Sequence, residues 1–135
     1  MLDENTPIET IREFFAGDHF ATEACKATIV EARKGFAVCE CTLERIHRNA
    51  LGGVMGGAIF TLADFALAVA SNIGEAPTVS ICNSIEFLSG VQGEKLIATC
   101  EADKSGRSLG FYTVRITDDL GTLVASMTAT CFRKS

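Results

Sequence analysis

Proline and basic residues are both scarce in this chain, and each shortage excludes a class of protein. Only two prolines occur in 135 residues, and 47% of the residues are hydrophobic, a composition that argues against intrinsic disorder. Twelve lysines and arginines stand against seventeen aspartates and glutamates, a formal net charge of −5. Since non-specific nucleic-acid binding needs a basic surface, we expect no nucleic-acid partner. At this length we expect one domain, residues 1–135, large enough to bury a core.

The sequence also lacks a targeting signal and a metal-ligand motif. No charged-then-apolar leader opens the chain and no apolar segment reaches membrane length, so we expect a cytoplasmic protein with no membrane partner. The six cysteines form no C-x-x-C pair, and His19 and His47 are the only histidines that can supplement them as ligands. We therefore expect reduced cysteines that pack in the core, and neither a metal nor another cofactor.

The most apolar stretch of the chain runs from Gly56 to Asn72, and Asp64 is its only formal charge. Alanine and leucine favour helix, and apolar residues fall on every face, so we expect a helix wrapped by protein on most sides. A carboxylate in a buried helix is costly unless it is paired, solvated or used. Asp64 is therefore the first candidate for a functional residue. The pair Gly56-Gly57 suits a sharp turn or a close approach to a ligand.

The segments around this helix predict one short helix and six strands. Thr6, Pro7 and Glu9 are helix-start signals, with Glu9 completing a capping box, and predict a helix over about 7–16. Strand-like apolar runs are separated by turn residues and predict strands over 26–32, 36–43, 78–88, 95–103, 108–117 and 123–132. Turns between neighbouring runs favour antiparallel pairing. The pattern predicts an α+β fold in which a curled antiparallel sheet surrounds the central helix.

Two short motifs follow each other at fixed spacing in the middle of the chain: Asn49-x-x-Gly52-x-x-Met55-Gly56-Gly57-Ala58, then Leu62-Ala63-Asp64. Together they resemble the active-site segment of the hotdog-fold acyl-CoA thioesterases, in the PaaI-like branch of phenylacetic acid degradation. The similarity covers nearly the whole chain and includes segments 79–88, 106–109 and 121–125. It implies a hotdog fold, hydrolysis of an acyl-CoA in which coenzyme A is part of the substrate, and a homodimer that assembles to a homotetramer. Met55 stands where the family usually has histidine.

The chemistry of thioester hydrolysis assigns roles to two residues of the motif. The reaction needs an attacking oxygen and a donor for the developing oxyanion. Asp64 can act as a general base on water or as a direct nucleophile, and the sequence does not choose. The Gly56 amide, at the first turn of the helix, lacks an intrahelical partner and is the candidate donor. The alternative is that the two glycines only permit close helix–sheet packing.

The spacing of Gly56 and Asp64 carries a prediction about assembly. Eight residues of helix separate them by about 12 Å, whereas one reacting carbon must lie close to both groups. The Gly56 of one subunit is therefore expected to meet the Asp64 of another in a two-fold dimer.

The resemblance also implies supporting roles for residues outside the helix. It places Asn49 beside the thioester or the attacking water, and Ser80 where it helps to hold that water. The alternatives are a loop asparagine bonded to nearby backbone and an ordinary strand serine. The acyl group is expected to contact residues around the start of the helix: Met55, Gly57, Phe60, Leu62 and Phe65.

Coenzyme A is a large anion, so a negatively charged protein must present local positive charge to bind it. The resemblance points to the turn formed by Gly106, Arg107 and Ser108, with Arg107 as the first candidate for the nucleotide. The weaker candidates are Lys104, Arg133 and Lys134.

Two other functions remain open. A non-catalytic hotdog domain that senses acyl-CoA is favoured by Met55 and disfavoured by the retained Asp64. An acyl-thioester dehydratase or hydratase on the same fold needs a catalytic histidine, and neither His19 nor His47 lies in such a motif.

Overall fold

The computed structural model describes residues 2–134, which form two α-helices and six strands. In chain order these are α1 (Ile8–Phe15), β1 (Thr28–Arg33), β2 (Phe36–Thr42), α2 (Gly56–Ser71), β3 (Thr78–Phe87), β4 (Lys95–Ser105), β5 (Leu109–Asp118) and β6 (Leu123–Arg133). Every predicted helix and strand is present, with ends shifted by one or two residues.

The predicted capping box at the start of α1 does not form. The Thr6 hydroxyl accepts a hydrogen bond from the Asp3 N–H at 2.9 Å, and α1 begins after Pro7 without a side-chain cap. The carboxylate of Glu9 pairs with Arg12 instead. The box fails because a local turn competes for the threonine hydroxyl.

Two connections between the predicted elements contain short helical turns. The segment Phe20–Ala24 forms one π-helical turn, and Arg45–His47 forms one 3₁₀ turn. A capping box forms at the second turn, where the Glu44 N–H donates to Nδ1 of His47 at 2.9 Å. His47 is thereby fixed in the loop that leads into α2.

The strands form one antiparallel sheet in the order β1-β2-β4-β5-β6-β3, and α2 packs on one of its faces. Register shifts interrupt four of the five strand pairs, and such bulges bend a strand and increase its twist. The side chain of Asn72 ties the end of α2 to β3, because its Oδ1 accepts from the Thr78 N–H at 2.8 Å. The prediction of a curled antiparallel sheet around a central hydrophobic helix is confirmed.

The sheet does not cover α2 on all sides. Ile59, Leu62 and Ala66 are buried in the core, whereas Gly57 and Asp64 are exposed. Together with the half-buried Phe60 and Thr61, the exposed positions recur every three or four residues and define one uncovered stripe, 57-60-61-64. The expectation that Asp64 is buried is therefore wrong for the single chain, since the sheet packs against only one side of the helix.

The cysteines largely follow the predicted packing. All six are free, and four of them are buried: Cys39, Cys41, Cys100 and Cys131. Burial raises the pKa of Cys39 to about 12, which keeps that thiol protonated. Separately, no helix within residues 2–134 is long and apolar enough to cross a membrane.

Candidate active site

The first turn of α2 presents a free backbone amide. Within the described chain no backbone acceptor is assigned to the Gly56 N–H, as is usual at a helix start. The ring of Phe87 packs closely against Gly56: a Cβ added at this glycine would lie 3.2 Å from Cζ of Phe87. Gly56 therefore permits close packing and also leaves a donor free, so the structure is compatible with both interpretations of the glycine.

The oxygen and the nitrogen of the Asn49 side-chain amide have different environments. Its Oδ1 accepts from the Leu51 N–H at 3.0 Å and from the Gly53 N–H at 3.1 Å. The alternative of a loop asparagine bonded to local backbone thus applies to the oxygen. Nδ2 has no hydrogen-bond partner within residues 2–134. Only the donor side of Asn49 is left for a ligand.

An apolar pocket of about 390 Å³ opens beside the start of α2, and three of the residues predicted to contact the acyl group line it: Met55, Gly57 and Phe60. Met55 is 53% exposed, and a Cβ at Gly57 would lie 3.6 Å from its Cε, so its side chain lies over that glycine. Leu62, by contrast, belongs to the core, with only 2% of its surface exposed. The prediction that Leu62 contributes to the acyl pocket is wrong.

His47 also lines the apolar pocket, but both of its ring nitrogens already have hydrogen-bond partners. Nδ1 accepts from the Glu44 N–H, and Nε2 lies 2.7 Å from the carbonyl oxygen of Cys25. This pattern requires a neutral ring that donates through Nε2. The residue is therefore a structural part of the pocket wall.

Asp64 lies in a second cleft of about 380 Å³, together with Asp18 and Phe65. Its carboxyl group reaches the surface, yet the walls of the cleft withdraw it partly from water. This desolvation, assisted by the negative charge of Asp18, raises the pKa of Asp64. Asp18 was not predicted, because it lies in a connection without a motif. The Asp64 cleft and the apolar pocket share Phe60, so they are adjacent.

Ser80 lies on β3, directly opposite Cys131 of β6. Chiefly burial raises the pKa of the Cys131 thiol to about 11, with the charge of Arg133 opposing the rise and that of Asp64 adding to it. A bulge between Ser80 and Cys82 brings Asn83 to the same face, and its Nδ2 donates to the Ser80 hydroxyl at 3.4 Å. Alternation alone would put residues 80 and 83 on opposite faces, so the strand pattern could not predict a role for Asn83.

The predicted nucleotide-binding turn joins β4 and β5. The Gly106 N–H donates to the Leu109 carbonyl at 2.7 Å, and Arg107 is exposed, with no ion-pair partner in the described part of the chain. Lys104 and Lys134 are exposed as well. Arg133 is buried and paired with Glu75. The prediction that Arg133 contacts the nucleotide is wrong, because its side chain is buried and bound to Glu75.

Gly56 and Asp64 do not meet within one chain. Gly56 opens into a groove of about 640 Å³ that is also lined by Arg48 and Phe87, and Asp64 opens into the separate cleft described above. The two groups are about 12 Å apart along the helix. A single protomer therefore holds two candidate half-sites, one with the amide and one with the carboxylate.

Comparison with known proteins agrees with this fold. The model of the Thioesterase superfamily matches residues 51–125. Acyl-coenzyme A thioesterase 13 of Homo sapiens is 33% identical over 121 residues, which covers 87% of this chain and 86% of that protein. The Escherichia coli PaaI protein from the phenylacetic acid degradation operon superposes with a TM-score of 0.82 at 25% identity, covering 96% of this chain and 97% of that one. A Streptococcus mutans UA159 protein bound to acetyl CoA superposes with a TM-score of 0.74 at 26% identity, covering 80% and 91%.

Proposed function

Because the chain belongs to the thioesterase superfamily and is a PaaI-like thioester hydrolase, we propose that it hydrolyses acyl-CoA to a free acid and coenzyme A, with Asp64 and the Gly56 amide as its catalytic groups. The observation that carries this proposal is the division of the two groups on α2, a free amide at its start and a carboxylate on its uncovered stripe. Acetyl CoA bound to the Streptococcus mutans neighbour supports the class of ligand.

Asp64 supplies the attacking oxygen or activates it. As a general base it takes a proton from water, whose oxygen attacks the carbonyl carbon; as a nucleophile it forms an acyl anhydride that water then hydrolyses. In both routes the carbon–sulfur bond breaks and coenzyme A leaves with the sulfur. The raised pKa of Asp64 suits proton transfer better than that of an ordinary aspartate does. The Gly56 N–H stabilises the oxyanion.

The remaining residues position the substrate in this proposal. Nδ2 of Asn49 donates to the thioester carbonyl, since its oxygen is occupied by the loop. Ser80, held by Asn83, orients the attacking water. The apolar pocket at Met55, Gly57 and Phe60 receives an apolar acyl group, and Phe65 closes the adjoining cleft.

The two half-sites join in a homodimer formed along β3. This strand is an edge of the sheet, and it exposes apolar side chains at Val79, Ile81 and Phe87. An exposed edge of this kind pairs readily with a second strand. Pairing of β3 with its symmetry mate brings the two α2 stripes together around a two-fold axis. The further assembly into a homotetramer stays a prediction.

Two broader predictions accompany this function. One hotdog domain over residues 1–135 is consistent with coverage of 97% of the PaaI chain. A cytoplasmic location is consistent with six free cysteines, since reducing compartments keep thiols reduced.

Subunit complementation tests the shared site. Gly56→Pro removes the amide hydrogen at a helix position that tolerates proline, and Asp64→Ala removes the carboxylate. Each homodimer should lose activity at least about 100-fold. A refolded equimolar mixture should recover about one quarter of wild-type activity, because half of the dimers are mixed and each of these has one intact site. Steady-state release of coenzyme A from a panel of acyl-CoAs measures the rates.

The control is Gly56→Ala, which adds the same Cβ beside Phe87 but keeps the amide hydrogen. It should retain more activity than Gly56→Pro if the hydrogen, not the space, is what matters. Failure of the mixture to recover activity would place the whole site in one chain. A wild-type protein that binds acyl-CoA tightly and hydrolyses no member of the panel would be a sensor.

A further inference from the structure

Arg133, at the end of β6, is a buried cation that the proposed chemistry does not use. It is 7% exposed, and it forms an ion pair with Glu75 in the loop after α2. Its Nε donates to Glu75 Oε2 at 2.5 Å, and its Nη2 donates to the hydroxyl of Tyr112 at 3.1 Å. Burying a charge is expensive unless it is paired and hydrogen-bonded, so the fold holds this guanidinium in place from several sides.

The same residue holds both ends of the turn that carries Arg107. Nη2 of Arg133 donates to the Ser105 hydroxyl at 2.5 Å, at the last residue of β4. The backbone N–H of Arg133 donates to the Ser108 carbonyl at 2.9 Å. The Ser105 hydroxyl also donates to Glu75 at 3.1 Å. Arg133 therefore bonds to both ends of the 105–108 turn, to Ser105 through its side chain and to Ser108 through its backbone N–H.

Gly110 leaves space for the side chain of Arg133. A Cβ at Gly110 would lie 2.7 Å from Nη1 of Arg133, so any larger residue there would displace the guanidinium. Burial opposes ionisation of Glu75, but hydrogen bonds from Arg133 and Ser105 and the charges of Arg133 and Lys34 lower its pKa overall. Both partners of the pair thus stay charged at neutral pH, and the bonds to the turn persist.

We propose that Arg133 is a positioning residue for coenzyme A: through Ser105 and Ser108 it fixes the 105–108 turn so that Arg107 faces the phosphate-bearing end of the ligand. The inference rests on the proposed function, because it takes coenzyme A as the ligand of this turn. Arg133 itself is buried and does not touch the ligand. Arg107, which is exposed and free of ion pairs within residues 2–134, makes the contact.

Ser105→Ala tests the link with little risk to folding, since Ser105 is exposed. Calorimetric titration compares coenzyme A with pantetheine, which lacks the nucleotide and its phosphates. The variant should bind coenzyme A roughly three- to tenfold more weakly than the wild type, and should bind pantetheine within about twofold of it. Ser105→Thr, which keeps the hydroxyl, should restore binding of coenzyme A. Thermal melting checks that each variant is folded.

A double-mutant cycle shows whether Ser105 acts through Arg107. Arg107→Ala should weaken binding of coenzyme A but not of pantetheine. The Ser105→Ala/Arg107→Ala double variant should bind coenzyme A as tightly as Arg107→Ala does. The inference is overturned if Ser105→Ala binds coenzyme A as tightly as the wild type does, or if it weakens binding of coenzyme A and of pantetheine equally. It is also overturned if the losses of affinity in the two single variants simply add in the double variant. These titrations need no turnover. A wild type that binds coenzyme A but hydrolyses no acyl-CoA refutes the proposed function only.

Discussion

The two edges of the sheet are built in opposite ways. β1 has six residues, carries Glu31 and Arg33, and is interrupted by a bulge. Arg12 of α1 covers this edge, with Nε and Nη2 donating to the Ile29 carbonyl at 3.1 and 2.9 Å. Charges, bulges and covering elements are the usual means by which an edge strand avoids pairing with another chain.

β3 shares the bulge, which lies between Ser80 and Cys82, but it has fewer charges and a longer exposed apolar edge. It has ten residues, and its only formal charge is that of Glu86. Ile81 is 59% exposed and Phe87 is 54% exposed. Two of the candidate residues lie on this side of the molecule as well, since Ser80 is on β3 and Gly56 packs against Phe87 of the same strand. The comparison shows that one edge is closed and the other is left open beside the candidate site.

Charging the open edge should have the largest effect. In Val79→Lys/Ile81→Lys, two ammonium groups would face their symmetry mates across the proposed interface, where like charges repel. We expect a monomer in analytical ultracentrifugation and a loss of hydrolysis of at least about 100-fold, because each site loses its oxyanion donor.

The matched control is Val30→Lys on β1, where the parent valine is also partly exposed. This variant should remain a dimer with wild-type rates. A monomeric charged-β3 variant that keeps full activity would refute the two-subunit site.

Uncovering the closed edge should affect stability without affecting catalysis. Arg12→Ala removes both hydrogen bonds to the Ile29 carbonyl and should lower the free energy of unfolding by about 1 kcal/mol, or about 3–5 °C in Tm. Differential scanning calorimetry measures this change. The value of kcat/KM should stay within about twofold of the wild type, since Arg12 belongs to neither half-site; a loss of activity with unchanged Tm would contradict the comparison.

The smallest effect concerns the pH dependence of Asp64. Only the carboxylate is active, so kcat/KM should fall as the pH drops through a pKa raised above the ordinary 3.8. Desolvation and the charge of Asp18 cause the rise. Asp18→Asn removes a negative charge and should therefore move this acid limb to lower pH.

A pH–rate profile of the wild type, Asp18→Asn and Glu13→Gln measures the shift. Glu13 is an exposed acid of α1 and serves as the control that should leave the limb in place. An acid limb that moves equally in both variants would show that net charge alone is responsible.

Most of the fold was accessible from the sequence because it depends on local pattern. The apolar run and its glycine pair predicted a helix over 56–72, and the observed helix is Gly56–Ser71. Gly35, with a φ of 74°, provides the turn that was predicted between β1 and β2. The capping box at Thr6 did not form although its motif is present, because the Thr6 hydroxyl accepts a hydrogen bond from the Asp3 N–H.

The candidate site was less accessible, because its geometry depends on partners far apart in sequence. Ser80 and Asn83 share a face only through a register shift against β6. Arg133 was a weaker candidate for the nucleotide, whereas it is buried and paired with Glu75, 58 residues away. No local pattern marked Asp18 as a neighbour of Asp64.

The amino-acid order alone determined the helix, the strands and the spacing of Gly56 and Asp64, since periods of 3.6 and 2 residues follow from backbone geometry. The tertiary structure decided which side of α2 stays uncovered, which edge of the sheet stays open and which arginine is free for a ligand. Those outcomes depend on which distant surfaces pack together, and packing depends on contacts that no short segment contains.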